Sequence, residues 1–326
     1  MTDPFVVAAD IGGTKMEIAT IDVNGVPSSE IHRIPVPFIG GQASLEKILD
    51  ILEEYVEKAS KSDANFRGLG LSSCGLVDLE TGNVVVSPNQ HWYGVPLRSS
   101  AEERFSVPVY AATDTRLAVL GEAAWGEGKH VKNFAWVTLG TGFGAAFFLN
   151  GRLYGGERGF AGAFGHNTVD EVNGYPCGCG RRGCLETYAS GRALARQAKA
   201  AVDMGHETIL RDMSREKTLS AKMVFDAKEK GDATAVHLVN QLVRYAGIGI
   251  SQLINILDIN LIIMGGGLTK AGDGFIGEIE AEAKKHLFNA EAAKDIRITK
   301  ESLPNSAMFG AAANVFMHRG DLEKLW

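Results

Sequence analysis

The chain reads as an α/β protein built from two related lobes. Three observations carry this expectation. Strand-like apolar runs alternate with stretches of helical periodicity; a strand, Gly/Thr turn, strand unit occurs twice; and the length of 326 residues sits where one core usually splits into two. With 45% hydrophobic and 22% charged residues the chain can bury large cores.

Phe5 to Asp10 is a short apolar run ending on an acid, followed by the turn GGT and the alternating segment KMEIATID. A turn at VNG and a third strand follow. Gln42 to Ser60 has helical periodicity, and RGLGLSS is a strand. VPVYAATD is a strand ending on Thr113 and Asp114, before a helix through 115–125. The opening unit recurs in NFAWVTLGTGFGAAFFLNG, where strand 134–139 enters a Gly/Thr turn at 140–142 and a second apolar strand leaves it. Gly140 lies 128 positions after Gly12, a repeat that suggests two lobes of similar fold facing each other, each offering a glycine turn to a shared cleft. Beyond a cysteine-rich loop the chain is expected to be helical over 184–203, 219–230 and 232–256. It then returns to a buried strand, INLIIMGGG, enters another helical region, and closes with the small-residue helix SAMFGAAANVFMH. The expected organisation is a smaller N-terminal lobe, 1–118, rejoined by a C-terminal helix at about 306–326, and a larger lobe, 119–305, carrying the cysteine loop. Sites belong at the carboxyl ends of the strands, where the turns sit.

Charge and hydropathy exclude several classes of partner. The net charge of -6 is mild and no Lys/Arg-rich run is present, which argues against nucleic acid and anionic lipid, because neutralising phosphates takes clustered cations. A small-molecule partner fits better. The N-terminus MTDPFVVAAD has an acid and a proline where an export signal needs cations and an apolar core, so a cytoplasmic location is expected. The uncharged run 134–149 is interrupted by three glycines and falls short of the roughly 20 apolar residues that a membrane helix needs.

Three of the four cysteines fall within CGCGRRGC, and His166 stands just upstream in AGAFGHNTV. Clustered thiols and imidazole in a reducing compartment favour a metal over disulfides. Cys177, Cys179, Cys184 and His166 form a complete Cys₃His set, suited to a closed tetrahedral structural zinc, and Gly178, Gly180 and Gly183 let the backbone fold back on itself. The competing reading is three buried thiols beside a core histidine. The remaining Cys74 is read as a small buried residue without a role.

DIGGTK at 10–15 lacks P-loop spacing and LGTGFG at 139–144 is short of the dinucleotide fingerprint, so each alone is weak. Together, two Gly/Thr turns, one followed by Lys15, suit the holding of phosphates from both sides; two ordinary hairpins are the plain alternative. Asp10 could hold Mg²⁺ through water. Gly265, Gly266 and Gly267, after a buried strand, suit close approach to a nucleotide's base and ribose, or an inert tight turn. Asp114 ends a strand where phosphoryl transfer to an alcohol needs a carboxylate to accept the hydroxyl proton. Equally, an Asp at that point can be the N-cap of the helix that follows.

These segments, with SSCGLVD, SPNQHWYGVPL, ATDTRLAVLGEAAWGEGK, GFAGAFGH and CGCGRRGCLE, resemble in order those of the ROK family of sugar kinases over nearly the whole chain. The GH followed by CxCGxxGCxE is the most specific of them. The resemblance implies a two-lobed actin-like ATPase fold (a duplicated ribonuclease H-like fold) with a cleft between the lobes, a structural zinc, an aspartate base and a homodimer. It implies that Asp114 is the base and that Asp10, Gly12, Gly13, Thr14, Lys15, Gly140, Thr141 and Gly142 hold the phosphates of ATP with Mg²⁺, with Gly265 to Gly267 beside the nucleotide. Asn89, Thr113, His166 and Glu186 would contact the sugar. Zinc on His166 would fix its tautomer, and Cys184 would fix Glu186 two residues on, so that the metal preorganises sugar contacts.

The sequence departs from the family at three positions. Thr113 stands where Asn precedes the base, Ala163 stands where GExGH has Glu, and Cys74 replaces a proline. Losing groups that pair ring hydroxyls weakens the case for ordinary glucose as acceptor. The expected activity is an ATP-dependent kinase acting on a hydroxyl of a hexose or aminohexose, with a cyclitol or anomerically altered sugar as the alternative. A sugar-responsive repressor needs a DNA-binding module ahead of a first strand that here starts at Phe5. A sensor without catalysis is opposed by Asp114.

Overall fold

The computed structural model describes every residue except 1, 2, 29, 37–40, 63, 64, 79, 88, 89, 290 and 326. The chain packs as two compact units, 1–132 with 146–159 and 301–326, and 133–145 with 160–300. The division expected near residue 118 would have cut the helix that ends at Trp125. That helix lies wholly in the first unit because it packs along the closing helix, which also belongs there.

The first unit's main sheet is built from β1 (Phe5–Ile11), β2 (Lys15–Asp22), β3 (His32–Pro35), β4 (Phe66–Ser73) and β8 (Val109–Thr113), in the order β3-β2-β1-β4-β8. β1 to β3 form an antiparallel meander, while β1, β4 and β8 run parallel. A sheet covered on both faces needs apolar residues on both sides, and β1 obeys this. Val7, Ala9 and Ile11 pack with Leu45, Ile48 and Leu52 of α1 (Gly41–Ser62), while Val6 and Ala8 pack with Leu117 and Leu120 of α3 (Asp114–Trp125) and Phe309 of α9 (Ser306–Arg319). Glycines bring the small-residue helix α9 into backbone contact: a Cβ on Gly70 would lie 2.3 Å from the Ala311 carbonyl oxygen, and one on Gly310 would lie 1.6 Å from that of Leu117. A small sheet of β5 (Leu76–Val77), β6 (Val84–Ser87) and β7 (Trp92–Val95), with α2 (Leu97–Phe105), completes the unit.

A second five-stranded sheet contains β9 (Phe134–Leu139), β10 (Phe143–Leu149), β11 (Arg152–Tyr154), β12 (Leu261–Gly265) and β13 (Arg297–Lys300), in the order β11-β10-β9-β12-β13. Position for position this is the order of the first sheet, so the repeated sequence unit has folded into a repeated topology. The partition between the two units falls within β10. The second unit carries α4 (Gly191–Asp203), α5 (Leu210–Glu216), α6 (Ala221–Glu229), α7 (Ala233–Leu257) and α8 (Asp273–Lys284).

The helix expected over 184–203 begins only at Gly191. Ser190 is its N-cap, accepting from the Ala193 amide, and Leu185–Thr187 is a separate 3-10 turn. Ser220, Asp232 and Asn305 cap α6, α7 and α9 in the same way. No helix among the described residues is long and apolar enough to cross a membrane.

Candidate active site

In the first unit the carboxyl ends of β1, β4 and β8 bring Asp10, Ser72 and Asp114 to one end of the sheet. The GGT turn between β1 and β2 is closed by the Gly12 amide donating to the Lys15 carbonyl at 3.0 Å. Gln90, fully buried, holds this turn from below: its Nε2 donates to the carbonyls of Ile11 (3.1 Å) and Gly12 (3.4 Å), and its Oε1 accepts from Ser73. Asp10 accepts from Ser72 Oγ at 2.6 Å and from Asn305 Nδ2 at 3.0 Å. Burial nonetheless pushes the Asp10 carboxyl above the ordinary carboxylate range, and the neighbouring Glu17 adds to the rise.

Lys15 Nζ lies 2.5 Å from Glu17 Oε1, which Arg33 also contacts at 2.7 Å. Asn305 Nδ2 bridges Glu17 Oε2 and Asp10. The cations are thus gathered on Glu17, leaving the two aspartates without an ion-pair partner among the described residues.

Asp114 is the first residue of α3, and the N-cap position falls to Thr113, whose side chain makes no capping bond. The Asp114 carboxylate accepts from the Thr115 amide at 2.7 Å, a contact that favours the anion. Burial and then the negative charge of Asp10 outweigh that contact and raise Asp114 to about 7. A carboxyl so poised can exchange a proton near neutrality. Thr113 points its hydroxyl oxygen at the Val77 amide (3.1 Å), tying β8 to the small sheet rather than standing idle. Cys74 sits beside this group, with Sγ 3.5 Å from Ser87 Oγ and its thiol pushed up to about 11 by burial. Asn89 lies outside the described residues.

In the second unit β9 and β12 are parallel neighbours, with Gly265 level with Thr138, so both glycine segments emerge at the same sheet end. Gly266 has φ +95°, and a Cβ there would lie 2.7 Å from the Leu139 carbonyl. A Cβ on Gly140 would lie 3.5 Å from the Gly267 amide. Gly140, Gly266 and Gly267 therefore bring bare backbone together at this sheet end. The Gly140 and Thr141 carbonyls accept from the amides of Gly191 and Arg192, seating the start of α4 on the turn.

The cysteine loop is shaped by its glycines. Gly180 and Gly183 have φ of +86° and +70°, and a Cβ on Gly183 would run into the Asp170 carbonyl. The ligand atoms of His166, Cys177, Cys179 and Cys184 lie within 4.8 Å of one another. Cys179 Sγ is 3.6 Å from Cys184 Sγ, and Cys177 Sγ is 3.5 Å from His166 Nδ1. Tetrahedral zinc with its usual bond lengths has S to S and S to N edges of about 3.8 and 3.6 Å, so this donor set fits the ion in chemistry and spacing. Arg181 donates to the His166 carbonyl at 3.0 Å and lies against Cys179; its bonds outweigh burial and hold that thiol down at about 6, in the thiolate range.

Glu186 reaches the same cluster, with Oε1 3.2 Å from Cys177 Sγ and 3.6 Å from His166 Nδ1. It also lies against the glycine turn, since a Cβ on Gly142 would come 3.0 Å from its Oε2. A cavity of about 60 Å³ joins Thr141, Cys177, Glu186, Ser190 and Arg192. Ala163 is exposed, and its carbonyl accepts from the His166 amide. Gln90, Ser72 and Asn305 were not singled out in the sequence; Asn305 stands 295 positions from its partner Asp10, beyond any local signal.

The profile of the ROK family matches residues 6–317. A glucokinase of Halalkalibacterium halodurans is 35% identical over 284 residues, covering 86% of this chain and 85% of that protein. A putative xylose repressor of a Caldicellulosiruptor species is 33% identical over 246 residues, which is 75% of this chain but 61% of the repressor. Among solved structures, a ROK family glucokinase from Streptomyces griseus in complex with glucose and AMPPNP is similar at a TM-score of 0.80 and 30% identity, covering 94% of this chain and 98% of that one. The fold is accordingly the two-lobed actin-like ATPase fold, and the kinases among these relatives are sugar kinases. With its profile matched from the first strand to the closing helix, the chain belongs to the ROK family.

Proposed function

We propose that the protein is an ATP-dependent kinase that transfers the γ-phosphate to a hydroxyl of a hexose or aminohexose, with Asp114 as general base. The observation that carries this reading is the state of Asp114: at a strand end, bonded only to the Thr115 amide and without a cation partner among the described residues, and raised to about 7. A base tuned near the working pH gives the best compromise between being deprotonated and pulling a proton from an alcohol. Asp114 would accept the acceptor hydroxyl's proton as oxygen attacks in line. The Gly12–Thr14 and Gly140–Gly142 turns would hold phosphate oxygens through threonine hydroxyls and the backbone amides other than those of Gly12 and Gly140, which close the turns. Gly265 to Gly267 would lie against the nucleoside, where the absence of side chains permits close approach.

Two bound ions belong to this reading. Asp10 would hold Mg²⁺ through water, and the pair of aspartates with no cation of their own is the charge such an ion would meet; bound there, it supplies neutralisation of the nucleotide's phosphates. His166, Cys177, Cys179 and Cys184 would hold a structural zinc. In that arrangement His166 Nδ1 turns toward the thiols, leaving Nε2 for a sugar hydroxyl, and Glu186 is steadied against both the loop and the glycine turn. The protein would act in the cytoplasm as a homodimer.

A second reading changes only the acceptor, to a cyclitol or an anomerically altered sugar. Ala163 favours it, because the exposed methyl cannot pair a ring hydroxyl. A regulatory reading has the putative xylose repressor behind it, but the glucokinase is matched at higher identity and over more of this chain.

The test is a coupled ADP-release assay across hexoses, aminohexoses, N-acetylhexosamines and inositols, run on the wild type and on Asp114→Asn. At least one acceptor should be phosphorylated, and the variant should lose roughly 10²- to 10⁴-fold in kcat while binding nucleotide normally. Wild-type-like turnover in the variant would remove the base assignment. Silence across the whole panel would remove the kinase.

A further inference from the structure

A second cavity, of about 230 Å³, lies inside the first unit among β8, α3, α9 and the β11 segment. It is separate from the site above: neither Asp10, Asp114 nor any residue of the GGT turn lines it. Its walls are mostly apolar, with Ala112, Leu117, Leu120 and Leu153 around the ring of Tyr110. His318 stacks on that ring with centroids 4.2 Å apart, and the Arg98 guanidinium lies 5.4 Å above it.

Arg116 is the anomaly in this wall. It is 5% exposed; Nη2 donates to the Gly159 carbonyl, while Nη1 is buried with no hydrogen-bond partner among the described residues. Among the described residues no Asp or Glu lines the cavity, and Arg98, the other guanidinium, is already paired with Glu102 at 2.9 Å. A buried cation without a counter-charge is costly, and burial pulls the Arg116 guanidinium below its ordinary range. Such a group persists where something else supplies the missing charge. The planar fork of one guanidinium suits one carboxylate, and the apolar, ring-lined remainder suits an apolar body.

We propose that this cavity is a binding site for a small organic monocarboxylate, its carboxylate on Arg116 and its apolar or aromatic body against Tyr110, Leu117, Leu120 and Leu153. The volume admits roughly ten non-hydrogen atoms at protein-like packing. The site does not depend on the kinase reading, since it uses none of those residues. Its occupant would sit on α3 one turn from Asp114, a position from which binding can be felt at the base.

The test uses benzoate and hexanoate as probes, with benzamide as the neutral analogue, followed by ligand-observed NMR and calorimetry on the full chain. At least one carboxylate should bind with a Kd of roughly 1 mM or tighter, the affinity expected of so small a ligand. Binding should survive saturating glucose and AMPPNP. Benzamide should bind at least fivefold more weakly than benzoate, or not at all. Arg116→Met should weaken carboxylate binding at least fivefold, and so should Leu153→Trp, which fills the cavity from the other wall and leaves the arginine in place. If neither carboxylate binds, if benzamide binds within fivefold of benzoate, if glucose with AMPPNP displaces the probe, or if a folded variant of either kind binds within fivefold of wild type, the site is not what is proposed.

Discussion

Replacing Asp114 by Asn should stabilise the folded protein at neutral and alkaline pH while removing its proposed chemistry. The folded carboxyl titrates at about 7 against an ordinary value of 3.8, so between these pH values the folded chain holds a proton that the unfolded chain has lost. Stability therefore falls as pH rises through this window: the penalty is absent below 3.8 and complete above about 7. A shift of about three units corresponds to about 4 kcal/mol at its limit. Asn keeps the shape and can still accept the Thr115 amide, so it removes the penalty and little else. Urea unfolding of both proteins at pH 5, 6, 7 and 8 would measure the difference. The variant's advantage should grow with pH and approach several kcal/mol at pH 8, with a melting temperature raised by about 5 °C. A difference that is flat with pH, or a variant less stable than wild type at pH 8, would show that Asp114 is not held in the environment described.

The same titration should appear in catalysis: kcat/KM should rise with pH through about 7 as Asp114 loses its proton, a limb read from initial rates between pH 5 and 9. Gly310→Ala should destabilise by about 3 kcal/mol or more, because its Cβ would lie 1.6 Å from the Leu117 carbonyl where α9 crosses α3; chemical unfolding checks this. Elemental analysis should find one zinc per chain, and its removal by chelator should lower the melting temperature and raise the KM for sugar more than it lowers kcat; protein purified without chelator that contains no zinc would refute the metal assignment.

The Cys₃His set was legible in the sequence because its residues lie within 19 positions, where spacing alone limits how the chain can fold. The two glycine turns were legible for a related reason: each is a local break between apolar strands, and their recurrence foreshadowed two sheets of the same strand order. The unbroken apolar run of β1 and the small-residue run of α9 likewise announced their burial, since composition is written along the chain. The short elements α5 and β5 to β7 carry too few residues for any period to register, and α2, LRSSAEERF, buries only Leu97 and Ala101.

Tertiary structure alone decided how the charges are distributed. Whether Asp114 caps a helix or stands poised to take a proton depends on Asp10, brought beside it across parallel strands from about a hundred residues away. Lys15 is adjacent to the turn in sequence, yet it is drawn to Glu17 by a pocket that Arg33 and Asn305 complete. The buried Arg116, without a counter-charge among the described residues, is invisible in TDTRLAVLGE, because that lack is a property of walls supplied by β8, β11 and α9. Residue type fixes which chemistry a side chain can perform. Desolvation and long-range neighbours fix which of those chemistries it does perform, and both exist only once the chain has closed around it.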